Sequence, residues 1–140
     1  MAKYDAYGTT LYRGTSGAGT AIAQIQTISG PALALDTEDV TSHDSTNAWE
    51  EVVGTILRSG ELSFDIVYDP ANATHAASGS GLLADLEGRA STTYTLVFPD
   101  SGATEWVFVA FVTGFEPDAP HDGALTAACT LKLTGDPTLA

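Results

Sequence analysis

Residues 60–70 of the chain read GELSFDIVYDP, and this stretch carries the clearest structural signal in the sequence. Apolar side chains occupy every second position of it, namely Leu62, Phe64, Ile66 and Tyr68. The positions between them are held by Glu61, Ser63, Asp65, Val67 and Asp69. A period of two residues is typical of a β-strand with one buried face. We therefore predict a half-buried strand whose outer face is acidic.

Other segments on both sides of this stretch also have the character of strands. Residues 92–98 and 104–115 alternate in the same way, and residues 99–102 between them supply turn chemistry, so the two segments predict a hairpin. The second of them is apolar on both faces, which predicts a central place in a sheet. Residues 125–133, 21–29 and 33–35 predict further strands. The fold class predicted is mainly β.

One segment predicts a helix instead. Residues 72–87 contain a stripe of leucines at Leu82, Leu83 and Leu86, and Gly88 after them is a suitable end. Glycines early in the segment weaken the start of this helix. We predict one short α-helix.

Residues 41–58 lack a clean period and predict a long projecting loop. Loops of this length in a small domain are usually functional or disordered. This one carries Trp49, Val53 and Ile56, apolar anchors that a merely solvated loop would lack. We predict that it contacts a neighbouring chain.

The length and composition bound the organisation of the chain. Its 140 residues suit a single domain over residues 1–140. Residues 9–20 are rich in Gly, Thr and Ser, so we predict a flexible N-terminal arm over about residues 1–20. A short C-terminal arm is expected over about residues 135–140. The lone Cys129 lies in an apolar alternation, which favours a buried thiol.

The charge of the chain excludes several kinds of partner. Eighteen acidic residues against five basic ones give a formal net charge of −13 at pH 7. Such a charge repels phosphate backbones and anionic membranes, so we predict neither nucleic-acid binding nor a membrane partner. The N-terminus has no apolar signal segment, which predicts synthesis in the cytoplasm. Plain solubility is an alternative explanation of the charge.

Catalytic and metal-binding chemistry finds little support in the sequence. The candidates for acid–base work are three histidines without a convincing partner motif, His43, His75 and His121. The acids at 36, 38 and 39 lack the spacing of an EF-hand loop. Phosphate-loop, nucleophile-elbow and zinc-helix motifs do not occur. We predict no enzyme activity, no cofactor and no metal site.

Several short motifs follow one another along the chain in a particular order. The first three are IQTISGP at residues 25–31, DVTSHDS at 39–45 and WEE at 49–51. They precede the strand at 60–70, His75, FPD at 98–100 and LKLTGDPTL at 131–139. In this order, this spacing and its length, the chain resembles the major tail-tube proteins of long, flexible-tailed bacteriophages. The resemblance covers nearly the whole sequence.

This resemblance implies an architecture and a set of partners. It implies a β-sandwich-like or barrel-like fold with a flanking helix, six copies in a ring, and rings stacked into a hollow tube. The tube would conduct phage DNA without binding it specifically. Other implied partners are the tape-measure, tail-tip and tail-terminator proteins, and the implied location is the virion tail after synthesis in the host cytoplasm. The additional immunoglobulin-like domain of some relatives is not expected.

The resemblance also gives roles to two groups of residues. The acidic row Glu61, Asp65 and Asp69 would face the lumen and repel DNA, although a solvated outer face is an alternative. The projecting loop would stack one ring on the next through His43, Asp44, Trp49, Glu50, Val53, Ile56 and Leu57. A core position is the alternative for Trp49. The rival function is a virion decoration or carbohydrate-binding β-sandwich with an exposed aromatic platform.

Overall fold

The structure is a computed structural model that describes residues 2–139. Within this range the chain forms one α-helix and one 3₁₀-helical turn, α1 at Leu82–Gly88 and the turn at Thr46–Ala48. The strands are β1 Thr10–Arg13, β2 Thr20–Ala21, β3 Ile25–Ser29, β4 Ala34–Asp39, β5 Val52–Arg58, β6 Glu61–Val67, β7 Thr92–Val97, β8 Glu105–Asp118 and β9 Thr126–Leu139. The mainly β fold class is confirmed.

Seven strands of the described chain make one antiparallel sheet in the order β2-β1-β7-β8-β9-β6-β3. The sheet curls into a half-barrel. Its centre is the pair β8 and β9, each 14 residues long. The hairpin of β7 with β8 and the central place of β8 are as the sequence predicts.

The hydrophobic core lies on one face of this sheet and under α1. In β6, Leu62, Phe64 and Ile66 are buried while Glu61, Ser63 and Asp65 are exposed, as the alternation predicts. Burying a Leu, Ile or Phe side chain contributes about 1.5–3 kcal/mol. Leu82 carries α1 onto the same core, which also includes Leu11, Tyr94, Leu96, Phe108, Ala110, Val112, Ala127, Cys129, Leu131 and Leu133. The other face of the sheet is called the open face below.

A β-bulge in β8 changes which side chains reach the open face. The register between β8 and β9 shifts between Val112 and Gly114. Strict alternation would put Phe115 on the same face as Phe111, but the extra residue turns Phe115 to the core. There its ring packs edge-on against Tyr68, with 5.1 Å between the ring centroids. The same bulge turns Glu116 and Asp118 to the open face.

The helix is shorter than the sequence predicts, because α1 begins only at Leu82. The residues before it form turns, in which Gly79 has a φ of +68° that a helix does not allow. At the other end Arg89, rather than Gly88, takes the left-handed conformation, with a φ of 54°. With seven residues, α1 is far from the length and apolar character of a membrane span, as is every helix in residues 2–139.

Both terminal arms differ from the prediction. Thr10–Arg13, inside the expected N-terminal arm, form β1 and pair with β7, and Leu11 is fully buried. At the other end β9 continues to Leu139, which pairs with Trp106 of β8. Pairing in the sheet therefore overrides the Gly-rich and Pro-containing local sequence. Met1 and Ala140, the outermost residues of the two expected arms, lie outside the described residues.

The prediction of an irregular loop over residues 41–58 is wrong. Its second half is strand β5, which pairs with β4 in a two-stranded sheet separate from the main one. A β-hairpin over residues 34–58, called the arm below, takes its place. Residues 40–51 connect the two strands at the tip of the arm.

The arm leaves the main sheet through a glycine that cannot be replaced without strain. Gly60 has a φ of +70°, and a Cβ there would overlap the carbonyl oxygen of Ala32. We expect Gly60→Ala to lower the free energy of unfolding by about 1–3 kcal/mol. The matched control is Gly17→Ala, where the new Cβ meets nothing within 4 Å. Equal unfolding midpoints for the two variants in urea would contradict this prediction.

Candidate assembly surfaces

The arm exposes an unusual amount of apolar surface. All seven residues of β5 are exposed, as are Leu35 in β4 and Val40 beside it. Leu57 is 81% exposed and Trp49 is 74% exposed, so a core position for Trp49 is wrong. Contiguous exposed apolar patches on a soluble protein mark sites of contact with other molecules. The arm therefore has the surface of an unpaired interaction element.

The tip of the arm is ordered by its own hydrogen bonds. The hydroxyl of Ser45 donates to Glu51 Oε2 at 2.7 Å and accepts from the backbone N–H of Ser42 at 2.9 Å. The N–H of Glu51 donates to Thr41 Oγ1 at 2.8 Å. These bonds fix the tip while its other side chains, His43, Asp44, Trp49 and Glu50, point outward and remain exposed. A tip that is already ordered loses less entropy when it binds.

The arm is also strongly acidic. Residues 14–57 contain no Lys or Arg, while residues 34–57 contain six acids, Asp36, Glu38, Asp39, Asp44, Glu50 and Glu51. At its base, Arg58 Nε donates to Asp36 Oδ2 at 2.8 Å. A surface that receives the tip would therefore be expected to carry positive charge.

The open face of the main sheet holds part of the predicted acidic row. Directly opposed residues of antiparallel strands point to the same face. Across strands β6, β9 and β8, Asp65 lies opposite Ala128, and Ala128 lies opposite Glu116. Two residues away along β9, Thr126 lies opposite Asp118. Glu61 lies opposite Lys132, and Lys132 opposite Phe111. Four carboxylates and one amine thus project from this part of the sheet, from Glu61, Asp65, Glu116, Asp118 and Lys132.

Asp69 does not belong to this row in the structure, because β6 ends at Val67. Its carboxylate accepts a hydrogen bond from the N–H of Ala71 at 3.0 Å, which makes it part of a turn. Its own N–H donates to Nδ1 of His75 at 3.2 Å. Local turn chemistry thus accounts for the aspartate at this position.

A buried ionic cluster fixes α1 to the sheet. The Arg13 guanidinium donates to both carboxylate oxygens of Asp85, each at 2.8 Å, and the Tyr94 hydroxyl donates to Asp85 Oδ2 at 2.8 Å. The hydrogen bond to Asp85 raises the pKa of Arg13. Burial, together with the bond to Asp85, raises the pKa of Tyr94 far above its usual value. The cluster joins β1, α1 and β7.

The histidines do not come together in the structure. His43 is exposed at the arm tip and His121 is exposed between β8 and β9. His75 is fully buried, and its Nε2 lies 2.8 Å from the carbonyl oxygen of Ala23 while Nδ1 accepts from Asp69. This ring joins two backbone segments through its hydrogen bonds. Among residues 2–139, no group of three or more His, Cys, Asp or Glu could hold a metal ion.

A sequence profile of the lambda phage tail tube protein matches residues 3–140 of the chain. The chain belongs to this family. It is thus a structural protein of a phage tail tube, and its place is the virion tail. Among curated protein sequences, none matches this tail tube protein.

Solved structures share the fold of this tail tube protein. A chain from the tail of an empty gene transfer agent particle, solved with C6 symmetry, has a TM-score of 0.77 at 17% identity, over 99% of both chains. One from the sheath/tube terminator of a contractile injection system, PVC, has a TM-score of 0.73 at 12% identity, over 100% of this chain and 98% of that one. The SPP1 tail tube gives 0.63 at 10% identity, over 90% and 72%.

Sequence reasoning missed several parts of the surfaces of this tail tube protein. Glu116 and Asp118 were hidden by the bulge, which period-two patterns do not reveal. The Arg13–Asp85–Tyr94 cluster joins residues 72 and 9 positions apart, with no local signal. The exposed aromatics lie on separate parts of the chain, namely Tyr4, Tyr7, Trp49 and Phe111, so the carbohydrate-binding alternative, with its single platform, is not favoured.

Proposed function

We propose that six copies of this tail tube protein close into a ring and that rings stack into a hollow tube through which phage DNA passes. The observation that carries the proposal is the main sheet, whose core lies on one face while the other is bare and acidic. In a ring with this face inward, one sheet both builds the wall and lines the channel. The C6 symmetry of the gene transfer agent tail, which has the same fold, supports six copies.

The edges of the sheet favour closure into a ring. The main sheet of the described chain ends in β2 at one edge and β3 at the other. Unpaired edges carry free N–H and C=O groups that pair with other chains. If copies joined edge to edge, these N–H and C=O groups would pair with each other, and a closed barrel has no unpaired edge.

The charge of the open face suits passage of DNA. Carboxylates of Glu61, Asp65, Glu116 and Asp118 would meet a duplex that carries one negative charge per about 1.7 Å of axis. Repulsion keeps the DNA from adhering to the wall, and specific binding is not expected. Asp69, at the end of β6, would stand at the margin of this lining.

The arm would hold successive rings together. Trp49 supplies an aromatic anchor, and Val53, Ile56 and Leu57 supply exposed apolar area. His43, Asp44 and Glu50 would add polar contacts at its tip. One end of any such stack keeps a free set of arms and the other a free set of receiving surfaces. Tail-tip, terminator and tape-measure proteins are the partners expected to set these ends and the length.

The direct test is negative-stain microscopy of the purified protein at high concentration, with light scattering to detect polymer. We expect hollow tubes or six-membered rings. A protein that stays monomeric both alone and with tail-tip complexes of its phage would contradict the proposal.

Charge reversal on the open face tests the lumen assignment. In Glu61→Lys/Asp65→Lys tails we expect normal tubes but DNA ejection slowed severalfold, with recovery at high salt, because lysines attract phosphates. The control is Glu87→Lys, an exposed residue of α1 on the core side of the sheet. An unchanged rate of DNA ejection from assembled tails of the double variant would contradict the assignment of these residues to the lumen.

A further inference from the structure

A groove of about 860 Å³ lies where the base of the arm meets the end of β9. Its walls are largely apolar, with Leu33, Leu35 and Leu57 from the arm and the chain before it, and Pro137 and Leu139 from β9. The four leucines are between 42% and 81% exposed, so nothing within residues 2–139 covers them. The groove is thus a ready apolar receiving surface.

The rim of this groove carries both positive and negative charges. Arg58 and Lys132 both line it, which is two of the five basic residues of the chain. Arg58 Nε binds Asp36, Lys132 lies opposite Glu61 in the β6–β9 pair, and Asp136 also lines the groove, so the cations available to a partner are the other guanidinium nitrogens of Arg58 and the ammonium of Lys132. On a chain of net charge −13, these two cations are groups that an acidic partner can meet with opposite charge.

The arm tip has the complementary chemistry. It presents the exposed indole of Trp49 together with the exposed acids Asp44 and Glu50, and no Lys or Arg lies within residues 14–57. We propose that the groove of one copy receives the arm tip of a second copy, with Trp49 against the leucine walls and its acids facing Arg58 and Lys132. This inference rests on the proposed stacking of rings and names the surface that receives the arm.

The geometry of the arm allows this contact to repeat from one copy to the next. The six residues of β4 span about 20 Å, so the tip of an arm lies far from the groove at its own base. A chain therefore does not fill its own groove. Because the donor and the acceptor are different surfaces, the contact is head-to-tail and does not end in a twofold dimer, and repeated from ring to ring it extends a filament.

A cysteine cross-link tests the proposal. Thr46 at the tip and Asp136 at the groove are both exposed. In Thr46→Cys/Asp136→Cys polymer we expect mild oxidation to give a ladder of covalent multimers on non-reducing gels. Disulfides need Cα atoms within about 7 Å, so the two thiols of one chain do not react with each other. Burial raises the pKa of the native Cys129 thiol to about 12, which keeps it inert.

Each single cysteine variant is a control and should give no ladder. The pair Thr46→Cys/Ser78→Cys probes the other cleft of the chain, between the β1–β2 turn and the residues before α1. Three results would overturn the groove assignment without contradicting the stacking of rings. They are tubes of the first pair that give no ladder, a ladder from the second pair instead, and a cross-linked product that stops at a dimer. Failure of the wild-type chain to form tubes both alone and with tail-tip complexes of its phage would overturn the proposed function as well.

Discussion

Replacing Asp85 with alanine is expected to lower the free energy of unfolding by about 3–5 kcal/mol. The carboxylate is 8% exposed and binds both Arg13 and the fully buried Tyr94 hydroxyl. Without it, the Tyr94 hydroxyl loses its partner while it stays buried, and the guanidinium of Arg13, whose side chain is 31% exposed, loses two hydrogen bonds. The cluster also ties α1 to two strands. Urea unfolding below the assembly concentration measures the loss, which corresponds to roughly 10 °C in Tm.

The chain offers a matched surface pair as a control. Asp36 binds Arg58 at the same 2.8 Å, but the side chains are 42% and 61% exposed. We expect Asp36→Ala to cost less than about 1 kcal/mol, because water competes for both partners. Similar costs at Asp36 and Asp85 would show that burial of the cluster adds nothing to its strength.

The sequence predicted the strands that bury one face and leave the other in water. In β6 the alternation of Leu62, Phe64 and Ile66 with polar residues is strong enough to fix both the strand and its orientation. The ends of the strands were harder to predict from the sequence. Residues 135–139 look like a terminal arm because Gly135 and Pro137 break strands locally, yet pairing with β8 extends β9 across them. Tertiary pairing outweighs local propensity there.

The candidate surfaces were predictable to the extent that they depend on exposure. Trp49 and its neighbours were assigned to a projecting segment because residues 41–58 lack a clean period, and the structure leaves them exposed. Period-two reasoning failed for β5, in which both faces are exposed and no alternation is selected. It also failed for Asp69, where a turn begins two residues after the end of β6. A strand with both faces exposed and a shift of register between strands produce no alternation of apolar and polar residues that could be recognised in a sequence.

Trp49→Ala is expected to raise the concentration at which tubes form by at least about thirtyfold. Truncating a central aromatic anchor at an interface costs about 2 kcal/mol or more, and six such contacts would act together between two rings. The folded subunit should be unaffected, because the side chain is 74% exposed and surface changes cost within about 0.5 kcal/mol. Sedimentation of polymer across a concentration series measures the first effect, and urea unfolding measures the second.

The control for this variant is Tyr7→Ala, which removes an aromatic ring that is 91% exposed outside the arm. If exposed aromatics promote association only by general hydrophobicity, both variants should shift the critical concentration equally. If the arm tip is the stacking element, only Trp49→Ala should do so, and rings should persist because their edges are untouched. Tubes of Trp49→Ala that form at the wild-type concentration would place the contact between rings somewhere other than the arm.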